Sequence, residues 1–216
     1  MMDKPTGGSK VLQTLQALSK VPRPGPAPGF SHVHVCGALL LIGDEGPIGR
    51  IGLSKRVGLG EGAIRTIMKR LTNAALITRV KGGCVLTKRG IELHSHLRAK
   101  LSKTVPIDAK QLSLDKSSVA ILIRSAGRQV KRGIEQRDAA IRAGATGACT
   151  LVVRKGEYLM PITESKDWRL KPEDPLARDL MDSLSPRDND VVAIISAANK
   201  GLAEHGAMAA ALTLLE

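Results

Sequence analysis

The chain has 216 residues, 43% of them hydrophobic and 25% charged, and its formal net charge at neutral pH is +13. This composition is typical of a globular protein with two small domains, and it excludes a disordered chain. No apolar run approaches the ~20 residues of a membrane-spanning helix, and the start of the chain lacks a secretory signal, so we expect a cytoplasmic protein that does not bind membranes.

The first 30 residues predict an N-terminal arm. Residues 10–21 place apolar side chains at helical spacing, which predicts a short amphipathic helix that packs on the next domain or on a partner chain. Residues 22–29 contain four prolines. Because proline cannot continue a helix, this stretch predicts a stiff, extended linker.

Most of the positive charge lies in a predicted second region, residues 31–103. Between His32 and Lys103 the chain has 13 Lys and Arg against 4 Asp and Glu, whereas residues 104–216 have 16 against 15. A basic domain beside a nearly neutral one predicts that the basic one binds a polyanion. The chain has only three aromatic residues, Phe30, Tyr158 and Trp168. Since single-stranded nucleic acid is held by stacking on aromatic rings, we favour a duplex as the partner.

The basic region has the element order of a winged helix-turn-helix domain: helix, very short strand, helix, helix, two-stranded hairpin, helix. Apolar spacing and turn signals predict these elements at His32–Ile42, Ile48, Leu53–Val57, Glu61–Ala75, Ile77–Val80 with Cys84–Leu86, and Thr87–Leu101.

In such domains the helix predicted here from Glu61 enters the major groove, and the hairpin contacts phosphates. Arg65 is the best candidate for a bidentate contact to guanine, with Thr66 beside it for a methyl or phosphate contact. The predicted outward face of this helix consists of Glu61, Gly62, Arg65, Thr66, Lys69, Arg70 and Asn73. The predicted phosphate contacts are Lys55, Arg56, Arg79, Lys81, Lys88 and Arg89. A solvated basic face without a ligand is the alternative.

Residues 104–216 predict an α+β domain with the element order βαββαβα. The first six elements match the ferredoxin-like split βαβ order, in which the helices cover one face of the sheet. Trp168 falls in a predicted loop, and charges on the first helix predict a salt-bridged face. The predicted elements are Ser118–Arg124, Arg128–Ala143, Cys149–Arg154, Glu157–Ile162, Pro175–Leu184, Asp190–Ser196 and a final helix to Leu215, capped by Asn199.

Parts of both domains resemble a known family. The segment Gly60-Glu61-Gly62-Ala63-Ile64-Arg65-Thr66-Ile67-Met68-Lys69-Arg70-Leu71, followed by Leu76-Ile77 and Leu86-Thr87-Lys88-Arg89-Gly90, resembles winged-helix regulators common in archaea. With Gly133–Ile141 and the Ala-rich last helix, residues 31–216 resemble an archaeal family that joins such a domain to a C-terminal domain of unknown function. The resemblance implies DNA binding for the first domain and no established activity for the second. Gly52 departs from the good helix former expected in the second helix.

The sequence contains no recognisable catalytic, cofactor or metal site. His32 with His34, and His94 with His96, are two residues apart and so point to different sides of a helix. The three cysteines, Cys36, Cys84 and Cys149, are far apart and odd in number, which is typical of buried thiols in a reducing compartment. We therefore predict no enzyme activity, no cofactor and no metal.

The sequence thus predicts a sequence-specific regulator of transcription that binds double-stranded DNA. A single winged helix covers a short half-site, so we expect a homodimer, with residues 104–216 as its dimerisation domain and as the place for a small-molecule effector. We would look for the effector at residues 149–162 and 128–143. Two alternatives remain open: a C-terminal metabolite-handling enzyme tethered to the winged helix, or a winged helix that contacts protein or RNA.

Overall fold

The computed structural model describes residues 7–20, 29–112, 117–161 and 168–215, and the predicted proline linker lies almost wholly outside these ranges. The chain divides into two compact units, Met1–Arg98 and Ala99–Glu216. The second unit begins a few residues before the predicted join at 103/104, because the preceding residues already pair with its sheet. Leu101 forms a β-bridge with Ile123, and Ser102 N donates to Leu122 O at 3.0 Å.

The first unit is helical with one small hairpin, and its elements follow the predicted order. The helices are α1 (Gly7–Ser19), α2 (His32–Glu45), α3 (Arg50–Val57), α4 (Glu61–Asn73) and α5 (Lys88–Lys100), and the hairpin strands are β1 (Ile77–Val80) and β2 (Gly83–Leu86).

Apolar faces of α1, α2 and α4 form the core of this unit. Ser31 begins α2, where its backbone N–H donates to His34 Nδ1 at 3.1 Å, and the following apolar run is buried. The apolar stripe of α4 is fully buried, and α1 packs against both α2 and α4 through Val11, Leu12 and Leu15. The predicted arm helix is therefore an integral part of the first unit.

Ile48 adds a third, one-residue strand to the hairpin. Ile48 N donates to Cys84 O at 3.2 Å, and Cys84 N donates to Ile48 O at 3.0 Å. Gly83, the residue before Cys84, has a φ of 156°, and a Cβ there would collide with the backbone of Ile48. Glycine is required at this position because the backbone between α2 and α3 lies directly against the hairpin.

The second unit is a fully antiparallel six-stranded sheet with the order β3-β4-β8-β5-β6-β7. Its strands are β3 (Val105–Pro106), β4 (Ser117–Ile123), β5 (Gly147–Arg154), β6 (Glu157–Met160), β7 (Trp168–Leu170) and β8 (Val191–Ala197), and its helices are α6 (Ile134–Arg142), α7 (Pro175–Leu184) and α8 (Lys200–Leu212). The expected mixture of helices and strands is thus confirmed for this part of the chain.

The ferredoxin-like prediction is wrong in strand order and in the placement of helices. In the predicted order β6 separates β4 from β5, but in the structure β8 lies between them. All seven residues of β8 are buried, so both of its faces need cover and it takes a central position. Helix α7 packs on the face that includes Leu122 and Ile194, whereas α6 and α8 pack on the opposite face near Thr150 and Ile195.

Three local predictions also need correction. Helix α6 begins at Ile134 and not at Arg128, because Gly133 has a φ of 75° and cannot continue a helix that began earlier. Trp168 does not lie in a loop. It belongs to β7, where it pairs with Met160 of β6. The sequence also contained no signal for β3 or for the 3-10 turn at Lys110–Leu112, which both lie shortly after the predicted join at 103/104.

Candidate nucleic-acid interface

Helix α4 separates an apolar face from a polar one. Ile64, Ile67 and Leu71 have no exposed surface, and their spacing of three and four residues keeps them on the core side. Arg65 and Lys69 are one turn apart on the other side, and both are exposed. The helix therefore presents two cations at the spacing of a single turn, as the sequence predicted.

A groove of about 580 Å³ lies between this polar face and the hairpin. Four of the residues that line it are cationic, and none of its described lining residues is acidic. The lining consists of Gly49, Arg50, Arg65, Met68, Lys69, Thr72, Asn73, Arg79, Val80, Gly83 and Cys84. The fold thus brings Arg65, Lys69 and Asn73 of α4 together with Arg79 of the hairpin, which are four of the predicted contact residues.

The cations of the groove differ in whether their charge is already compensated. Within the described ranges, Arg65, Lys69 and Arg79 have no ion-pair partner. Arg50 differs, because its Nε lies 2.9 Å from Glu61 Oε2. Glu61, a predicted contact residue, is thus held against Arg50 at the start of α4, where an acidic side chain also stabilises the helix dipole.

Near the start of α4, the side chains at positions 62 and 66 protrude little from the helix. Gly62 is exposed, and a Cβ placed there would meet nothing within 4 Å, so packing does not require the glycine. Thr66 is half-buried, and its hydroxyl donates to Gly62 O at 3.1 Å. A flat helix end of this kind allows the helix backbone to come close to a ligand.

Arg70 does not belong to this polar face, contrary to the prediction. It is half-buried, its Nη1 donates to Leu18 O at 2.8 Å, and its guanidinium lies 4.9 Å from the centre of the Phe30 ring. One residue after Lys69 the helix has turned by about 100°, toward the side on which α1 packs. Arg70 therefore fixes α1 and Phe30 to α4.

The predicted phosphate contacts lie in three different environments. Lys55 and Lys81 are exposed, at the end of α3 and at the hairpin tip. Arg56 forms a bidentate pair with Glu45, both contacts measuring 2.7 Å, so its charge is compensated. Lys88 and Arg89 are exposed on the first turn of α5, and Arg89 Nη1 also donates to Ala74 O at 3.3 Å, at the end of α4.

Seven of the groove's lining residues were not among the predicted contacts, and Arg50, Met68 and Thr72 are the three of them that belong to α3 and α4. Arg50 precedes the predicted start of the second helix at Leu53, although it begins α3. Met68 falls in the apolar pattern of the predicted helix, which favours a core position, yet it is half-buried and lines the groove. The sequence offered one signal for Thr72. It continues the helical spacing of Arg65 and Lys69, and so extends the polar face of α4 by a further turn.

Two carboxylates with little exposed surface, one half-buried and one buried, have structural partners away from the groove. Asp44 accepts hydrogen bonds from Arg98 and lies 2.8 Å from His94 Nε2, which joins α2 to α5. The Asp190 carboxylate, 3% exposed, accepts hydrogen bonds from Arg124, Ser125 N and Arg187 N at 2.8 to 2.9 Å. Burial alone would raise the pKa of Asp190, but these donors outweigh it and hold the pKa below its usual value.

The three cysteines are buried and unoxidised. Burial raises the pKa of Cys36 and of Cys149 to about 12, so neither thiol is activated as a nucleophile. The described residues include no group of three His, Cys, Asp or Glu that could hold a metal ion. Likewise, none of the described helices is long and apolar enough to span a bilayer.

The second unit has a cavity of about 650 Å³ at the β3–β4 edge and the start of α8. Its lining residues are Pro106, Ile107, Asp108, Ala109, Lys110, Ser117, Ser118, Val119 and Lys200. This cavity does not coincide with residues 149–162 or 128–143, where the sequence placed an effector. The effector therefore stays a prediction.

Comparison with known proteins gives a similar division of the chain. Residues 36–92 match the family described as PH0730-like, N-terminal domain, and residues 114–214 match the one described as a domain of unknown function (DUF4443). No curated protein matches the chain. A solved structure, hypothetical protein PH0730 from Pyrococcus horikoshii OT3, is 26% identical with a TM-score of 0.65, over 84% of this chain and 91% of that one. The chain is thus similar across both units to an archaeal protein that is named only as hypothetical.

Proposed function

We propose that the first unit is a winged-helix module that binds double-stranded DNA, and that the protein is a sequence-specific regulator of transcription. The observation behind this proposal is the groove in which Arg65, Lys69 and Arg79 lie together, without an acidic partner in the part of the chain that the structure describes. In the proposed complex α4 enters the major groove, the hairpin follows the adjacent backbone, and Ile48 completes the small sheet of the winged helix.

Arg65 is the proposed base-reading residue. It is exposed near the N-terminal end of α4, and its guanidinium has the two parallel donors that match guanine O6 and N7. Lys69 and Arg79 flank it and neutralise phosphates, and Asn73 extends the contact along the same helix. Glu61 acts indirectly by holding Arg50 at the edge of the groove.

A duplex fits this surface better than a single strand does. The groove residues include no aromatic ring on which an unpaired base could stack, and Phe30 is buried beneath Arg70. Cationic side chains around an exposed helix instead match regularly spaced phosphates on either side of a major groove.

The proposed roles of the second unit are dimerisation and effector binding, and we assign no catalysis to it. One α4 covers a short half-site, so two copies are needed for an operator of useful length. The proposed site of action is the cytoplasm, where the buried, reduced cysteines fit.

The deciding experiment is selection of genomic DNA fragments by the purified full chain, followed by affinity measurements on the enriched sequence. We expect enrichment of a short motif with two half-sites. Arg65→Ala should lose discrimination at one base pair of each half-site, by about 1–3 kcal/mol, while keeping most of the affinity for unrelated DNA.

The matched control is Arg178→Ala, which removes an exposed arginine from a helix of the second unit and should leave binding unchanged. Equal affinity for duplex RNA and duplex DNA would favour an RNA partner instead. If the chain binds neither duplex DNA nor duplex RNA, the proposal is refuted, and protein contact remains as the function of the groove.

A further inference from the structure

The groove between α4 and the hairpin contains apolar side chains as well as cations. Met68 of α4 is half-buried where it lines the groove, and Val80, at the end of β1, lines it while 45% exposed. Phosphates are bound by cations and hydrogen-bond donors, so a surface for phosphate alone has no use for these two side chains. They match a ligand that brings an apolar group into the groove.

Thr72 adds a methyl group to the same surface. It is exposed, it lies one turn beyond Met68 on α4, and it also lines the groove. Its hydroxyl donates to Met68 O at 2.9 Å, so the hydroxyl hydrogen is already used by the helix backbone. Met68, Thr72 and Val80 are called the apolar patch from here on. Thr66, for which the sequence predicted a methyl or phosphate contact, does not line the groove.

The apolar patch lies close to the proposed base-reading arginine. Met68 is three residues after Arg65 in α4, so their Cα atoms are separated by about 4.5 Å along the helix axis. Successive bases of a DNA strand are about 3.4 Å apart along the duplex. When α4 lies along the major groove, the side chain of Met68 therefore reaches a base pair within about two steps of the one that Arg65 contacts.

The edges of the base pairs offer one kind of apolar group in the major groove, the C5-methyl group of thymine, and their other groups there are hydrogen-bond donors and acceptors. We propose that the apolar patch binds the methyl group of a thymine within about two base pairs of the guanine that Arg65 reads. The inference rests on the proposed binding of duplex DNA by α4, and it names a second base of the sequence that the protein selects. Cytosine lacks this methyl group and leaves the patch unfilled.

The test removes this methyl group and nothing else. Each thymine of the selected duplex is replaced in turn by deoxyuridine, which forms the same base pair without the C5-methyl group, and the affinity of the full chain is measured by fluorescence anisotropy. Replacement at one position of each half-site, within about two base pairs of the guanine, should weaken binding about three- to tenfold. Replacement at the other thymines should change the affinity less than about twofold.

The matching change in the protein removes the apolar ends of the patch and keeps its shape. Met68→Gln preserves the length of the side chain, and Val80→Thr preserves its branching, so the double variant M68Q/V80T should keep its thermal midpoint within a few degrees. It should bind the thymine and deoxyuridine duplexes with affinities within about twofold of each other. Met181→Gln is the matched control, because Met181 is 41% exposed on α7 of the second unit, and this variant should keep the full preference for thymine.

Two results would overturn the inference: no deoxyuridine position weakens binding, or a sensitive position keeps its full effect in M68Q/V80T. If the chain selects a duplex and Arg65→Ala relaxes one base pair, but no thymine methyl group matters, this inference fails and the proposed function stands. A chain that binds no duplex overturns both.

Discussion

The two units use the same kinds of charged residue in opposite ways. In the first unit Arg65, Lys69 and Arg79 converge on a groove and have no acidic partner among the described residues, so their charge is available to a ligand. In the second unit Arg124 is paired with the buried Asp190, and the strand residue Arg169 is paired with Glu157 at 3.1 Å. The charges proposed to face a polyanion are kept apart from acids by the fold, whereas charges that hold the fold together are paired within it.

The exposed pair on α6 is the informative exception in the second unit. Arg137 and Asp138 are of opposite sign and adjacent in sequence, yet they lack partners in the described chain. A single sign on an exposed face, as on α4, favours a polyanion. The mixed signs on α6 do not favour one.

The largest expected effect comes from reversing the charge of the groove. The double variant Arg65→Glu with Lys69→Glu should lower the affinity for the selected duplex by about 100-fold or more at physiological salt, because it removes two cations and adds two anions. Fluorescence anisotropy measures the affinity. The thermal midpoint should be unchanged, since both side chains are exposed, and a loss of binding accompanied by unfolding would contradict the assignment.

The paired charges of the second unit should affect stability instead. Asp190→Asn keeps the shape but removes the carboxylate, leaving Arg124 without its partner, and should lower the free energy of unfolding by about 2–3 kcal/mol. Urea denaturation measures this loss. DNA affinity per folded molecule should not change, and a reduction of affinity would show that the roles of the two units are not separate.

The same carboxylate should make stability depend on pH. The pKa of Asp190 is lower in the folded state than in the unfolded state, so its contribution is present above the unfolded value of ~3.9 and is lost as the pH falls through the folded value. Unfolding of the natural chain and of Asp190→Asn, compared between about pH 6 and about pH 2, should therefore converge at the acid end. Parallel curves over the whole range would rule out this carboxylate as the cause.

A smaller effect is expected at the hairpin tip. Lys81→Ala should weaken binding to all duplexes about equally, by roughly three- to tenfold, and should reduce the slope of log K against log salt by about 1. A salt series on the selected duplex and on an unrelated one measures both. A change confined to the selected sequence would mean that Lys81 contacts a base.

The smallest effect is expected at Arg56, although it lies in the same basic unit. Its charge is compensated by Glu45, so Arg56→Ala should change DNA affinity by less than about twofold. Lys55→Ala, on the neighbouring exposed residue, is the matched comparison and should weaken binding more. Equal effects of the two substitutions would show that the ion pair opens when DNA binds.

Local patterns predicted the helices and strands of the first unit well. The apolar stripe Ile64, Ile67 and Leu71 specifies both the helix and its buried side, so the exposure of Arg65 and Lys69 follows directly. Side-chain partners did not follow in the same way. Arg70 is adjacent in sequence to Lys69, and only the packing of α1, about fifty residues earlier in the chain, removes it from the polar face.

In the second unit four of the six strands were predictable, but β3, β7 and the order of the strands were not. The continuous apolar run of β8 predicts a buried strand, but it does not indicate which strands lie on either side of it. That position depends on long-range pairing, because β8 joins β4 and β5 across large separations in sequence. The ferredoxin-like prediction failed at this step.

By itself, the sequence determined where the positive charge lies, which segments form most of the helices and strands, and which face of α4 is apolar, because these depend on composition and on spacing within a few residues. Only the tertiary structure decided which cations remain unpaired, which residues converge on the groove, and how the sheet is ordered. Those outcomes depend on contacts between residues that are distant in the chain, and no local pattern records them.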